Sequence, residues 1–125
     1  MTIRQFVFAV STLIPTLAAA AEPPGLGVYQ CYTNRYGQTP HVRNVTLKSD
    51  GTYDHWAVTD TWGESGSGTV TYGADGRPEF TSGPLQGAEV GEIEVREGPP
   101  KGWVFKVTLP SDFNFTGCGG PLYND

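Results

Sequence analysis

Downstream of residue 26 apolar and polar residues alternate, and Gly, Pro, Asp or Asn breaks the alternation at intervals of roughly ten to fifteen residues. Alternation at period two sends one set of side chains to a core and the other to water, the pattern of half-buried strands. Trp103, Phe105, Val107 and Leu109 show it most clearly, with Lys106 and Thr108 on the opposite face. Glu92, Glu94 and Arg96 alternate with Ile93 and Val95 in the same way, which predicts one wet and one packed face. Residues 92–96 are therefore expected to pair with 103–109 across the loop Glu97-Gly98-Pro99-Pro100-Lys101-Gly102. Asp50-Gly51 and Asp75-Gly76 predict two further hairpins, 42–48 with 52–58 and 69–72 with 78–81, because Asp-Gly accepts the positive φ of tight hairpin turns. Adding 26–33 and 113–118 gives about eight short strands, and no stretch keeps a helical period. The expected fold class is all-β.

The first 21 residues follow a different pattern. Arg4 precedes an apolar run over residues 6–14, Pro15 interrupts it, and small residues follow at 18–21. These are the parts of a secretion signal cleaved after Ala20 or Ala21. The apolar run is shorter than the roughly 20 residues of a spanning helix, so a soluble product in the periplasm or the medium is expected, with no membrane anchor after cleavage. Residues 22–27, rich in Pro and Gly, read as a flexible leader and 28–125 as one domain. A domain of that length is near the lower end of what a single core stabilises comfortably. The two cysteines, Cys31 and Cys118, lie near its two ends, and in an oxidising compartment they are expected to pair. That pairing would bring the first and last strands together, as closure of an up-and-down barrel requires. The expected architecture is a single antiparallel barrel closed by one disulfide, sharing its outline with lipocalin-like and avidin-like barrels. A two-sheet β-sandwich of the same strands is the alternative.

Charge narrows the partners. Without Arg4 the chain carries seven basic and thirteen acidic side chains, a formal −6. That argues against nucleic acid and suits a basic protein partner. Catalytic chemistry is thinly supplied. His41 and His55 are the two histidines, and oxidised cysteines offer them no thiolate. Gly63-Glu64-Ser65-Gly66-Ser67-Gly68 misses the spacing of a nucleophile elbow and reads as a solvated flexible loop. Asp54, His55 and Asp60 carry ligand atoms, yet Asp54 and His55 would point to opposite faces of one strand. Glu92 and Glu94 share a face without the cleft a glycosidase needs. No metal or cofactor is expected. Asn44-Val45-Thr46 and Asn114-Phe115-Thr116 match the glycosylation pattern but fall in expected strands.

The aromatic residues are more informative. Tyr32, Tyr36, Trp56 and Trp62 sit in or beside the first and third strands, where such side chains bury much area at modest entropic cost. Residues 60–68, displaying Trp62, Glu64, Ser65 and Ser67, are expected to form the contact surface together with Trp56 and Tyr36. A barrel-mouth site for a small apolar molecule, lined by Trp56 and tyrosines, is one alternative. A hydrolase using His55 with Asp54 or Asp60 is another.

Val28-Tyr29-Gln30-Cys31-Tyr32, the distant Cys118, and Ser65-Gly66-Ser67-Gly68-Thr69-Val70-Thr71-Tyr72 followed by an Asp-Gly turn and Glu79-Phe80 resemble the periplasmic inhibitors of c-type lysozyme. Those are small eight-stranded antiparallel barrels with a cysteine in an early tyrosine-containing strand and a serine-glycine loop that enters the lysozyme cleft. The resemblance implies a lysozyme-inhibitor-like barrel acting on a protein. The chain departs from that pattern after the phenylalanine. The inhibitors carry an aromatic and then Lys-Gly, the lysine meeting the catalytic acids, whereas this chain has Thr81-Ser82-Gly83. Residues 68–87 also resemble uncharacterised secreted bacterial β-domains. The expected function is that of a secreted, non-enzymatic binding protein, a protein or enzyme inhibitor, acting through loops on a β-barrel.

Overall fold

The computed structural model describes residues 24–34, 37–98, 101–110 and 116–122. The expected signal peptide, Tyr36, Pro99, Pro100 and residues 113–115 of the expected last strand lie outside the described residues. Nine strands are described: β1 (Gly27–Tyr32), β2 (His41–Leu47), β3 (Thr52–Ala57), β4 (Gly66–Tyr72), β5 (Pro78–Phe80), β6 (Glu89–Val90), β7 (Glu94–Arg96), β8 (Gly102–Thr108) and β9 (Thr116–Gly120). The one described helix is a 3-10 turn at Asp60–Trp62. All pairings are antiparallel, in the order β5-β4-β3-β2-β1-β9-β8-β6, with β7 also on β8. This strip curls into a nearly closed barrel.

Closure runs through β1 and β9, where Cys31 lies directly opposite Cys118 and is bonded to it. The bridge spans 87 positions of sequence. In the chain-entropy account, a loop of that length contributes about 4 to 5 kcal/mol by restricting the unfolded chain. The two ends of the strip, β5 and β6, meet at a seam without a backbone ladder between them. Arg77 clips it: Nη1 donates to the carbonyl of Val90 at 3.0 Å, while Nε donates to Asp75 Oδ2 at 2.6 Å.

The interior is filled by the inward set of each strand. Tyr29, Val45, Leu47, Tyr53, Phe105 and Val107 are buried there with the disulfide. Tyr29 packs on Phe105 with ring centroids 5.2 Å apart, and Tyr53 meets Phe80 edge-on at 4.8 Å. Tyr53 also ties down the connection between β5 and β6. Its hydroxyl donates to the carbonyl of Ser82 at 2.7 Å and accepts from the amide of Leu85 at 2.8 Å, and Leu85 is wholly buried. At the opposite end of the barrel, Gly25 lies under the Trp103 ring, and its carbonyl accepts from Tyr29 Oη at 2.6 Å.

The two Asp-Gly hairpins form as expected, with Gly51 and Gly76 at positive φ. Four expectations change. Residues 66–68 are not a loop but the start of β4, whose first half pairs with β3 and second half with β5. The glycines there mark close approach rather than mobility: a Cβ on Gly68 would stand 2.1 Å from the Ser82 carbonyl oxygen and 2.8 Å from Tyr53 Cε1. The strand expected at 92–96 pairs with β8 as β7 over 94–96 only, and a separate short strand, β6 at 89–90, precedes it, the register against β8 slipping by one between Val90 and Glu94. Ile93 still packs against the core, but Val95 lies 46 % exposed near the end of the barrel. The last strand runs on through Gly119 and Gly120. Finally, the β1–β2 register slips between Cys31 and Tyr32. The slip leaves Val42 as the extra residue, buried next to Arg43, which period two with Val45 and Leu47 turns inward, so a residue that charge alone would place in water lies wholly inside.

Alanine at Gly68 and at Gly117 should separate the two uses of glycine. A Cβ at Gly117 would meet nothing within 4 Å, so Gly117→Ala should unfold in urea with an unchanged midpoint. Gly68→Ala must push β4 away from residue 82 and should lose about 1 to 3 kcal/mol, the usual scale of overpacking.

Candidate functional site

Period-two alternation that turns Tyr53 and His55 inward turns Asp54 and Trp56 outward. The turn at Asp50-Gly51 sets the β2–β3 register so that Trp56 stands opposite Asn44, which in turn stands opposite Gln30 of β1. His41 and Tyr32, opposite each other at the other side of the bulge, complete the group. The result is a row of three rings on the outer face: Tyr32 to His41 at 5.3 Å between centroids and His41 to Trp56 at 5.8 Å. Trp56 is 50 % exposed and Tyr32 38 %. Two rings are tethered by polar neighbours. Tyr32 Oη donates to Gln30 Oε1 at 2.8 Å, and His41 Nε2 donates to Asn44 Oδ1 at 2.6 Å. Their orientation is therefore set before anything binds, which lowers the entropic cost of binding.

Polar groups continue the face toward β4. Asp54 accepts from Lys48 Nζ at 2.8 Å and from Ser67 Oγ at 2.7 Å. The hydrogen bond with Lys48, and after it the one with Ser67, hold its carboxyl below the usual carboxylate range. Ser65 Oγ accepts from the amide of Ala57 at 3.0 Å and so extends the β3–β4 contact by a side chain. Toward β9 the face is bare, since Gly117 lies opposite Tyr32.

The expected contact residues are thus divided. Trp56 joins the ring row. Glu64, Ser65 and Ser67 are exposed beside it, with Ser65 and Ser67 engaged in the hydrogen bonds just described. Trp62 is half-buried in the 3-10 turn, and Tyr36 lies outside the described residues. Tyr32 was one of the four aromatic residues singled out from the sequence, while His41, Asn44 and Gln30 were not among the expected contacts. Their signal lies in the register of the Asp50-Gly51 hairpin, which places Asn44 beside Trp56.

Buried His55 donates from Nδ1 to the carbonyl of Glu64 at 2.7 Å. A Cβ on Gly63 would meet Leu109 Cδ1 at 3.3 Å and His55 Cε1 at 3.5 Å, so residues 60–64 fold over this mouth of the barrel. Asp54 faces the other way, toward Lys48, and no His55–Asp54 dyad is assembled. Among the described residues, no group of three His, Cys, Asp or Glu is placed to hold a metal ion. A cleft of about 550 Å³ lies at the β5–β6 seam over Pro78, Phe80 and Val90, but its cation, Arg77, is already engaged by Asp75 and the Val90 carbonyl.

No protein-family model, curated protein or solved structure matches this chain.

Because the folded-state pKa of Asp54 is depressed, the contribution of its contacts is present at neutral pH and is lost as pH falls through that lowered value. A carboxyl-detected NMR titration should place the Asp54 midpoint below the ordinary aspartate value. Ser67→Ala should raise that midpoint, and Lys48→Ala should raise it further. A midpoint unmoved by either change would show that the two side chains do not hold the carboxylate.

Proposed function

We propose that this chain is a secreted, non-enzymatic binding protein that engages a protein partner through the outer face of β1–β3 and the adjoining residues 60–68. One observation carries the reading: the interior of the barrel is packed with side chains, while Trp56 and Tyr32 remain exposed on its outside. A barrel that carried a small apolar molecule would need that interior space, and residues 60–64 already lie over one mouth. Large aromatic side chains held on a rigid sheet suit a protein contact, because Trp and Tyr supply much of the energy at such interfaces. An inhibitor of a secreted enzyme would use the same face. Export rests on the pattern of residues 1–21 and agrees with the disulfide, which belongs to an oxidising compartment.

Recovered from the medium or the periplasm, the protein should have an intact mass corresponding to a chain that begins at Ala21 or Glu22 and carries one disulfide. A mass that includes Met1 on membrane-bound material would remove the basis for export.

Trp56→Ala should leave the melting temperature nearly unchanged, as exposed substitutions do. It should also weaken at least tenfold the capture of whatever exported protein the wild type retains. Trp62→Ala, which removes a half-buried ring, should instead cost about 1 to 3 kcal/mol of stability, less than the 3 to 5 of a fully buried one. Equal capture by wild type and Trp56→Ala would remove this face as the contact surface.

A further inference from the structure

We propose that the Trp56 end of the ring row is a receptor for an arginine side chain carried on an extended basic segment of the partner. This proposal rests on the protein-binding reading of the same face and names the group that would be recognised there.

The rings present faces of negative electrostatic potential, which attract a cation lying over them. Charge around the row fixes which end receives it. Among the described residues of β1–β4 and their connections, Asp50, Asp54, Asp60 and Glu64 reach solvent. The bases are Lys48, which pairs with Asp54, and Arg43, which is sealed inside the barrel. Asp54 and Glu64 lie on the Trp56 side. On the Tyr32 side the next outward position is bare Gly117, and beyond it Lys106 stands opposite that glycine on β8 among Glu89, Glu92 and Glu94, so no ring and acid are paired there as they are at Trp56. A cation approaching this face is drawn to Trp56, where the acids stand beside an exposed ring. The whole chain, with a formal net charge of −5, strengthens the attraction at a distance.

Arginine fits better than lysine for reasons of shape and hydration. Its guanidinium is flat and weakly hydrated, so it stacks on an indole while its N–H groups still point sideways to acceptors. The 5.8 Å between the Trp56 and His41 centroids and their 34° tilt leave a shallow angle in which a planar group can lie on one ring and touch the edge of the other. The lysine ammonium is a compact, strongly hydrated charge and would lose more water for fewer contacts.

The test is an NMR titration of the mature, disulfide-bonded protein with four probes: hexa-arginine, hexalysine, hexaglutamate and chitotetraose. Hexa-arginine should shift the Trp56 indole N–H and the amides of residues 41–46 and 54–57, and it should bind about tenfold more tightly than hexalysine. Trp56→Ala and Trp56→Leu should each weaken it about tenfold, the second keeping an apolar side chain in place. Val95→Ala, an exposed change near the opposite end of the barrel, should leave it alone. Equal affinity for the two basic peptides, with shifts spread over all the acidic residues and indifferent to both Trp56 variants, would overturn the proposal in favour of unspecific attraction. Shifts at Trp56 with chitotetraose or hexaglutamate but not with hexa-arginine would overturn the arginine assignment while leaving the face a binding surface. No shift at Trp56 with any probe would overturn the assignment as well, and the capture comparison would then judge the protein-binding reading separately.

Discussion

The pairing of β1 with β9 joins segments 87 positions apart in sequence, and non-local contacts of that kind must meet their loop-closure entropy before they return any packing energy. The Cys31–Cys118 bond holds the two strands in register from within the ladder. With those strands joined, the remaining pairings follow between chain neighbours, apart from β6 on β8 across β7 and the open seam. The buried rings of Tyr29 and Phe105, on either side of β9, can then face each other across the interior. The position of the outer face depends on the same closure, since β1 supplies Tyr32 and Gln30 while β2 and β3 supply the other members of the row.

A small domain can place its aromatic residues inside, where they stabilise it, or outside, where they are available to a partner. This chain does both along single strands. In β3 the inward Tyr53 anchors residues 82–85 and the outward Trp56 remains half in water. In β1 the inward Tyr29 closes on Gly25 while the outward Tyr32 is held by Gln30. Period-two geometry therefore separates stability from recognition to first order. Removing Trp56 disturbs little that Tyr53 holds, and the exposed rings are free to vary without emptying the core.

The features legible in the sequence were those decided locally. Asp50-Gly51 and Asp75-Gly76 specify their own turns, and the alternation from Trp103 to Leu109 announces its buried face without help from other strands. The two cysteines, by pairing, implied the meeting of first and last strands. What could not be read was decided between strands. Gly68 is a glycine because the Ser82 carbonyl lies against it, and from sequence alone such a residue is indistinguishable from one that confers mobility. A two-residue strand such as Glu89–Val90 is too short to show any period. Arg43 falls in phase with inward Val45 and Leu47, but its charge argues for water, whereas the burial of Val42 beside it comes from a one-residue slip in the β1–β2 register that nothing local signals. Trp56 was identifiable as an aromatic contact, but its association with His41 and Tyr32 needs the register of three strands at once.

The seam offers an unusual freedom of connectivity. The amide of Leu122 donates to the carbonyl of Val28 at 2.8 Å, so the two ends of the described domain lie side by side. At the opposite side of the sheet Gly87 stands clear, with nothing within 4 Å of where a Cβ would be. A circularly permuted chain, spliced near residues 28 and 122 and opened at Gly87, would run from the β6–β7 edge through β8, β9 and β1 to β5, the order in which they lie in the sheet. Every ladder but β6–β8, which skips β7, would then link consecutive strands, and the new termini would fall at the one boundary that no ladder crosses. In this chain the β1–β9 boundary is held instead by the Cys31–Cys118 bond, a covalent link that does there what backbone continuity does between neighbouring strands.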